Sequence, residues 1–232
     1  MTSQSEPHPQ TGQPVGLAAD AIPAKAPGPV TLEGRYGRVA RLAQTHDFDL
    51  WEALKGHDHI WTYMSGYGPF ADLATFSSWV ASRIALDDPH SYAIVEPSGR
   101  ALGIATLMEI KPAAKSIEVG HIVYSPALQR TPLGTEAQYL LARYVFETLG
   151  YRRYEWKCNA LNAASHRAAL RYGFVHEGTL RQTMVAKGRN RDTTYFSMLD
   201  SEGPARKAAF ERWLAPDNFD ADGRQRARLD EA

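Results

Sequence analysis

The sequence predicts an α/β chain of the α+β kind: a mixed, mostly antiparallel sheet of about seven strands, flanked by helices. Three observations carry this expectation. Residues 91–96, 101–110 and 116–124 are β-branched and aromatic stretches separated by short turns, one of them Pro97-Ser98-Gly99-Arg100, so they pair antiparallel. An amphipathic stretch follows, with apolar residues at 137, 141, 144, 145 and 149 and Gly150 as its C-terminal stop. It leads into a further strand at 153–158, and such a strand–helix–strand crossover makes the two strands parallel with right-handed connectivity.

In chain order, residues 1–29 hold six of the fourteen prolines and no hydrophobic period. That composition cannot offset chain entropy, so a disordered tail is expected. Residues 30–42 alternate around two glycines and read as a strand with a turn. A short helix follows over 47–55, then a glycine-rich aromatic loop over 57–69. Its Trp61 and Tyr63 either pack onto the core or line an acceptor pocket, since loops bring specificity to a rigid scaffold. His57 and His59 lie two residues apart with no third ligand evident, so no metal site is expected.

Residues 72–86 form a second helix, with apolar residues at 73, 76, 79, 80 and 84. Beyond the parallel pair come a helix over 162–172, a strand over 174–183, a charged turn over 187–192, a strand over 193–199 and a last helix over 205–214. The segment 215–232 has eight charged residues in eighteen and no core face, which predicts a flexible tail. One domain over 30–215 is therefore expected between a disordered tail (1–29) and a charged one (216–232).

Of the 232 residues, 26 are Lys or Arg and 26 are Asp or Glu, a formal charge of zero. This balance argues against a nucleic-acid footprint or a membrane-surface patch. The single cysteine, Cys158, excludes an intrachain disulfide and a cysteine-based zinc site. No apolar run approaches membrane-spanning length and no basic-then-apolar leader opens the chain, so a soluble cytoplasmic protein is expected.

Between the strand at 117–124 and the helix lies the loop Gln129-Arg130-Thr131-Pro132-Leu133-Gly134, followed by Thr135-Glu136-Ala137. A helix N-terminus after such a loop offers unpaired N–H groups and partial positive charge, which suits phosphates. The pattern resembles motif A of the GCN5-related N-acetyltransferases, and departs from it where Pro132 replaces the first glycine and gives up one N–H. Asn162-Ala163-Ala164-Ser165 with Tyr172-Gly173-Phe174 and Glu177-Gly178 resembles motif B. Together with Glu118-Val119-Gly120 these are similar to the RimJ/RimL-like branch, which acetylates protein N-termini and other primary amines.

The resemblance implies a sheet whose parallel strands splay apart. It also implies acetyl-CoA as co-substrate, with its pantetheine arm along Ile122, Val123 and Tyr124. Its pyrophosphate would sit on Gln129, Arg130, Thr131, Leu133, Gly134 and Thr135, with Asn162 as a contact to the cofactor arm; by charge alone, Arg167 is a further candidate for a phosphate. Homodimers are frequent in the family.

Acetyl transfer to an amine needs a neutral amine, a stabilised oxyanion and a proton for the leaving thiolate. Glu118 is the first choice as base and His121 the second; strict alternation would put the two on opposite faces. The tyrosine that many relatives use as acid falls at Ala169, so it is absent. Ser165 stands where RimL-like enzymes carry a serine, and Tyr172 and Tyr124 are alternative donors. The expected activity is direct acetyl transfer to a protein N-terminus or a small-molecule amine; the alternative is a non-catalytic acyl-CoA-binding domain.

Overall fold

The computed structural model describes residues 4–230. Its strands are β1 (Ser5–Pro7), β2 (Pro14–Gly16), β3 (Thr31–Glu33), β4 (Arg38–Arg41), β5 (His90–Val95), β6 (Ala101–Lys111), β7 (Ser116–Tyr124), β8 (Arg153–Asn159), β9 (Val175–Ala186) and β10 (Arg189–Leu199). The α-helices are α1 (Asp47–Leu54), α2 (Leu73–Ile84), α3 (Pro132–Arg143), α4 (Ala163–Arg171) and α5 (Gly203–Trp213). β1 and β2 form a small hairpin; the others make one eight-stranded sheet in the order β3-β4-β5-β6-β7-β8-β10-β9. The sheet has one strand more than expected, because residues 30–42 fold as two short strands.

All neighbours in this sheet run antiparallel except β7 and β8. Their parallel register starts at Ser116↔Arg153 and stops at Val119↔Trp156. Beyond it β7 stays with β6 as far as Tyr124, while β8 follows β10. The two strands part, and a slot opens through the sheet.

Alternation along the strands separates two cores. Ile117, Val119, Tyr154, Trp156, Phe196 and Met198 pack with α3, α4 and α5 on one face. Ala93, Val95, Ile104 and Val123 pack with α1, α2 and Trp61 on the other. In β7 the alternation slips once. Val123 pairs with Ile104 but Gly120 pairs with Thr106, so β7 carries one extra residue, and His121 takes the left-handed φ of 47°.

Helix α3 starts at Pro132, earlier than expected, with Thr131 as its cap; the Thr131 hydroxyl accepts from Gly134 N–H. Proline at the first helical position gives up an N–H that no helix partner would have used. The helix ends in a π-turn, Tyr144–Leu149, and Gly150 closes it at φ 78°. The β9–β10 hairpin is longer than expected. Its turn is only Lys187-Gly188, both at positive φ, and residues 189–192 belong to β10.

Outside residues 30–215, Ala24 N–H donates to Pro112 O and Gly28 N–H to the Tyr144 hydroxyl, and Gly28 O accepts from the Tyr92 hydroxyl. Residues 24 and 28 make these contacts through their backbone, which leaves no hydrophobic period in the sequence. At the other end, Leu229 is buried in the α3–α5 core and the Trp213 indole donates to Gln225. Among the described residues, no helix is long and apolar enough to cross a membrane.

Candidate active site

The loop before α3 is built from its own backbone. Leu128 and Gln129 N–H both donate to Ser125 O, and the Gln129 side-chain amide donates to Tyr124 O. Arg130 takes a left-handed φ of 61°. The N–H groups of Arg130 and Leu133 make no hydrogen bond among the described residues, so two amides of the loop are free for an anion. Gly134 is required by contact: a Cβ there would stand 2.7 Å from Leu128 O and 3.2 Å from the Tyr124 ring. Gly134→Ala is therefore expected to displace the loop and weaken acetyl-CoA binding about tenfold or more, read by calorimetric titration. An unchanged Kd would remove the loop from the cofactor site.

A cluster of charged residues lies on the α1/α2 face. Glu118 is 6% exposed, and Lys157 Nζ stands 2.9 Å from its Oε2. The same ammonium lies 3.0 Å from Glu155 Oε2 and over the Tyr195 ring. Glu155 accepts from Arg153, which also grips Glu177. Burial pushes the Glu118 carboxyl above the usual glutamate range, against the pull of Lys157. Burial opposes the Lys157 charge, but the two flanking carboxylates outweigh it and push its pKa up. Gly120 leaves the space beside Glu118 open, for a Cβ there would stand 3.1 Å from Glu118 Oε1 and 2.5 Å from Met108 Sδ.

Ser165 lies on the opposite face. Asn162 caps α4 by accepting from Ser165 N–H at 3.1 Å, and the Trp156 indole N–H donates to Ser165 Oγ at 3.0 Å. Trp156 and Lys157 are successive in β8 and point to opposite sides, so Ser165 and Glu118 stand on opposite faces of the sheet, near the end of the paired stretch of β7 and β8. Burial pushes the Cys158 thiol up, away from the reactive thiolate, against the opposing influence of the nearby Ser165 hydroxyl.

Other sequence candidates land differently. The Tyr124 hydroxyl donates to Gly134 O and accepts from Gln138, so its proton is already engaged. The side chain of Val123 is sealed in the α1/α2 core, and Ile122 is half-buried on the α3 side. Thr135 is buried and accepts from Arg171, while Arg130 and Arg167 are exposed. Trp61 is 3% exposed and packs edge-on against Tyr67, Phe70 and Trp79. Tyr63 is more open, and its hydroxyl donates to Leu161 O just before α4.

His121 differs from expectation. The β7 bulge turns it to the same side as Glu118, where its ring meets the Tyr67 ring edge-on at 5.6 Å. Burial, then Arg83 and Arg191, push its pKa down to about 4. The neutral ring thus favours the folded state above its ordinary value of 6.5, and that stability is lost as pH falls toward 4. The shift corresponds to about 3 kcal/mol. Melting temperatures between pH 7 and 4.5 should fall steeply for the wild type and less steeply for His121→Gln. Parallel curves would show that the imidazole stays hydrated.

Several participants escaped sequence reasoning. Lys157 and Glu155 had one available signal, the alternation Arg153, Glu155, Lys157 along a strand, which marks a polar sheet face. Trp156 had none, since its role depends on where α4 docks. A cavity of about 420 Å³ lined by Tyr139, Phe146, Met198 and Phe210 lies between α3 and α5, away from this chemistry.

Residues 39–175 match the family model of the acetyltransferase (GNAT) domain. A GCN5-related N-acetyltransferase from Brucella melitensis is 45% identical, with a TM-score of 0.88 over 90% of this chain and 96% of the other. A GNAT-family protein from Chromobacterium violaceum is 42% identical, with a TM-score of 0.76 over 84% and 98%. The RimL acetyltransferase of ribosomal L7/L12, solved with coenzyme A, shares the fold at 18% identity and a TM-score of 0.63, over 73% of this chain and 98% of the other. No curated protein gives a sequence match. On the family model and on relatives above 40% identity, this chain belongs to the GNAT acetyltransferases and is an acetyl-CoA-dependent acyltransferase.

Proposed function

We propose that the protein acetylates a primary amine by direct transfer, with Glu118 taking the proton of the amine and Ser165 giving one to the departing sulfur. The observation that carries this reading is the parting of β7 and β8 after Val119, with Glu118 on one face and Ser165 on the other. Acetyl-CoA supplies a thioester carbonyl and a thiolate leaving group. The free amides of Arg130 and Leu133 at the start of α3 suit its phosphates. The unpaired β8-side edge of β7 along Ile122–Tyr124 suits its pantetheine amides.

An alkyl amine is mostly protonated at neutral pH, so a carboxylate raised toward neutrality is a suitable base, acting directly or through water. Lys157 holds Glu118 by one oxygen and so keeps its orientation. On the other face, Ser165 accepts from Trp156, which leaves the hydroxyl proton free to be donated. Both a protein N-terminus and a small-molecule amine meet these requirements. The RimL relative acts on a protein, which supports the first class.

The test is thermal unfolding of the full chain with acetyl-CoA, CoA or ATP. At one hundred times Kd, linkage gives roughly 2.7 kcal/mol, a rise of about 5–10 °C. A rise with both CoA species and none with ATP, together with amine-dependent CoA release, supports the reading. No shift at saturating acetyl-CoA removes it.

A further inference from the structure

We infer that the bulge end of the α1/α2 face holds a subsite for a carboxylate carried by the acceptor amine, recognised by the Tyr67 hydroxyl and the Arg191 guanidinium. The inference rests on the acetyl-transfer reading and narrows its acceptor class. Two independent observations lead to it. First, the Tyr67 hydroxyl, His121 Nδ1 and Arg191 Nε are all buried and lack a hydrogen-bond partner among the described residues. They are neighbours: the Tyr67 and His121 rings are in edge contact, and Arg191 holds the Ser65 hydroxyl two residues before Tyr67. Unpaired buried polar groups are costly to stability, and the two donors among these, the Tyr67 hydroxyl and Arg191 Nε, point to an acceptor oxygen from outside the fold.

Second, the cations around this spot have no counter-charge. Arg83 lies over the Tyr67 ring at 5.9 Å, and neither it nor Arg191 makes an ion pair among the described residues. Lys187, at the tip of the β9–β10 hairpin, donates to Trp61 O and Gly68 O and also meets no carboxylate among the described residues. His121 adds no charge, since its pKa is driven down to about 4. Unpaired positive charge thus gathers at one end of the face, and at the other stand the carboxylates Glu118 and Glu155 with Lys157 between them. An ammonium group near Glu118 with a carboxylate near Arg191 matches this polarity; a bare alkyl amine leaves the positive end unanswered.

The probes are L-alanine, L-alaninamide, propylamine and the acidic dipeptide amide Asp-Ala-NH2, titrated calorimetrically into the full chain saturated with CoA. Alanine or the acidic dipeptide should bind at least roughly tenfold tighter than alaninamide, with propylamine weakest. If the dipeptide leads, the carboxylate is that of a peptide side chain; if alanine leads, it is that of a free amino acid.

Arg191→Met should bring the alanine-to-alaninamide ratio near one, and Arg191→Lys should retain part of it. Because Arg191 also anchors Ser65, Tyr67→Phe provides the second arm. It should narrow the ratio while leaving the melting temperature unchanged or higher, because the lost hydroxyl has no partner to abandon. Equal affinities for all four probes, or a melting temperature several degrees lower in Tyr67→Phe, would overturn the subsite. CoA release can be followed on the same samples from acetyl-CoA. Propylamine turned over as fast as alanine sinks the subsite and leaves acetyl transfer standing. Selective binding of alanine with no CoA release from any amine does the reverse.

Discussion

Ser165→Ala is expected to lower kcat about 100- to 1000-fold while leaving Kd for acetyl-CoA within a few-fold of the wild type. The hydroxyl stands at the first turn of α4, where a developing anion is favoured, and one of its two acceptor lone pairs is filled by the Trp156 indole at 3.0 Å. That hydrogen bond keeps the hydroxyl proton turned away from the indole. Removing the oxygen also leaves the indole N–H without an acceptor, which costs about 1–3 kcal/mol of stability, so melting must be measured beside turnover. Ser165→Thr keeps the hydroxyl and should recover most of the rate. Cys158→Ser is expected to change turnover little, because the buried thiol is held away from its reactive form. A Ser165→Ala enzyme turning over within twofold of wild type would exclude this proton donor.

Glu136→Gln is expected to destabilise the fold by about 3 kcal/mol, a fall of roughly 6–12 °C in Tm. Glu136 is 4% exposed in the first turns of α3, and its two oxygens accept from Arg35 N–H at 2.6 Å and Tyr36 N–H at 2.7 Å. Those amides belong to the turn between β3 and β4, so one carboxylate joins the edge of the sheet to α3. A glutamine can accept from one amide only and turns its own NH2 toward the other. Gly34 has to be glycine for the same contact, since a Cβ there would stand 2.4 Å from the carboxylate. The Tyr36 hydroxyl donates to Leu214 O, so loosening the turn also frees the end of α5. Urea unfolding followed by tryptophan fluorescence tests this, and a midpoint equal to wild type would show that the turn holds without the carboxylate.

The contrast between Glu136 and Glu118 shows where sequence reasoning stops. Both are buried glutamates flanking a motif, and nothing in the local pattern separates them. One accepts from two backbone amides about a hundred residues earlier in the chain; the other is gripped by Lys157 beside the slot. His121 illustrates a second limit. Period-two alternation placed it opposite Glu118, and a single extra residue in β7 reversed that. A bulge of this kind follows from the pairing of Gly120 with Thr106 and Val123 with Ile104, which is a property of two strands together.

The β9–β10 hairpin shows a third limit. Residues 189–192 are polar on both faces, so no alternation marked them as strand, yet β9 pairs with them as far as Arg189↔Ala186. Trp61 is similar. Its loop composition left pocket and core open, and three aromatic neighbours from the same loop and α2 enclose it.

By itself the sequence determined what local periodicity and short motifs encode: the fold class, the parallel pair, the cap at Asn162 and the acetyltransferase resemblance. These depend on residues within one turn or one strand of each other. The tertiary structure alone decided which side of the sheet each candidate faces, which glutamate is held by Lys157, and which buried donors lack a partner. Those depend on strand register and on hydrogen bonds between residues far apart in the chain, and neither leaves a local pattern to read.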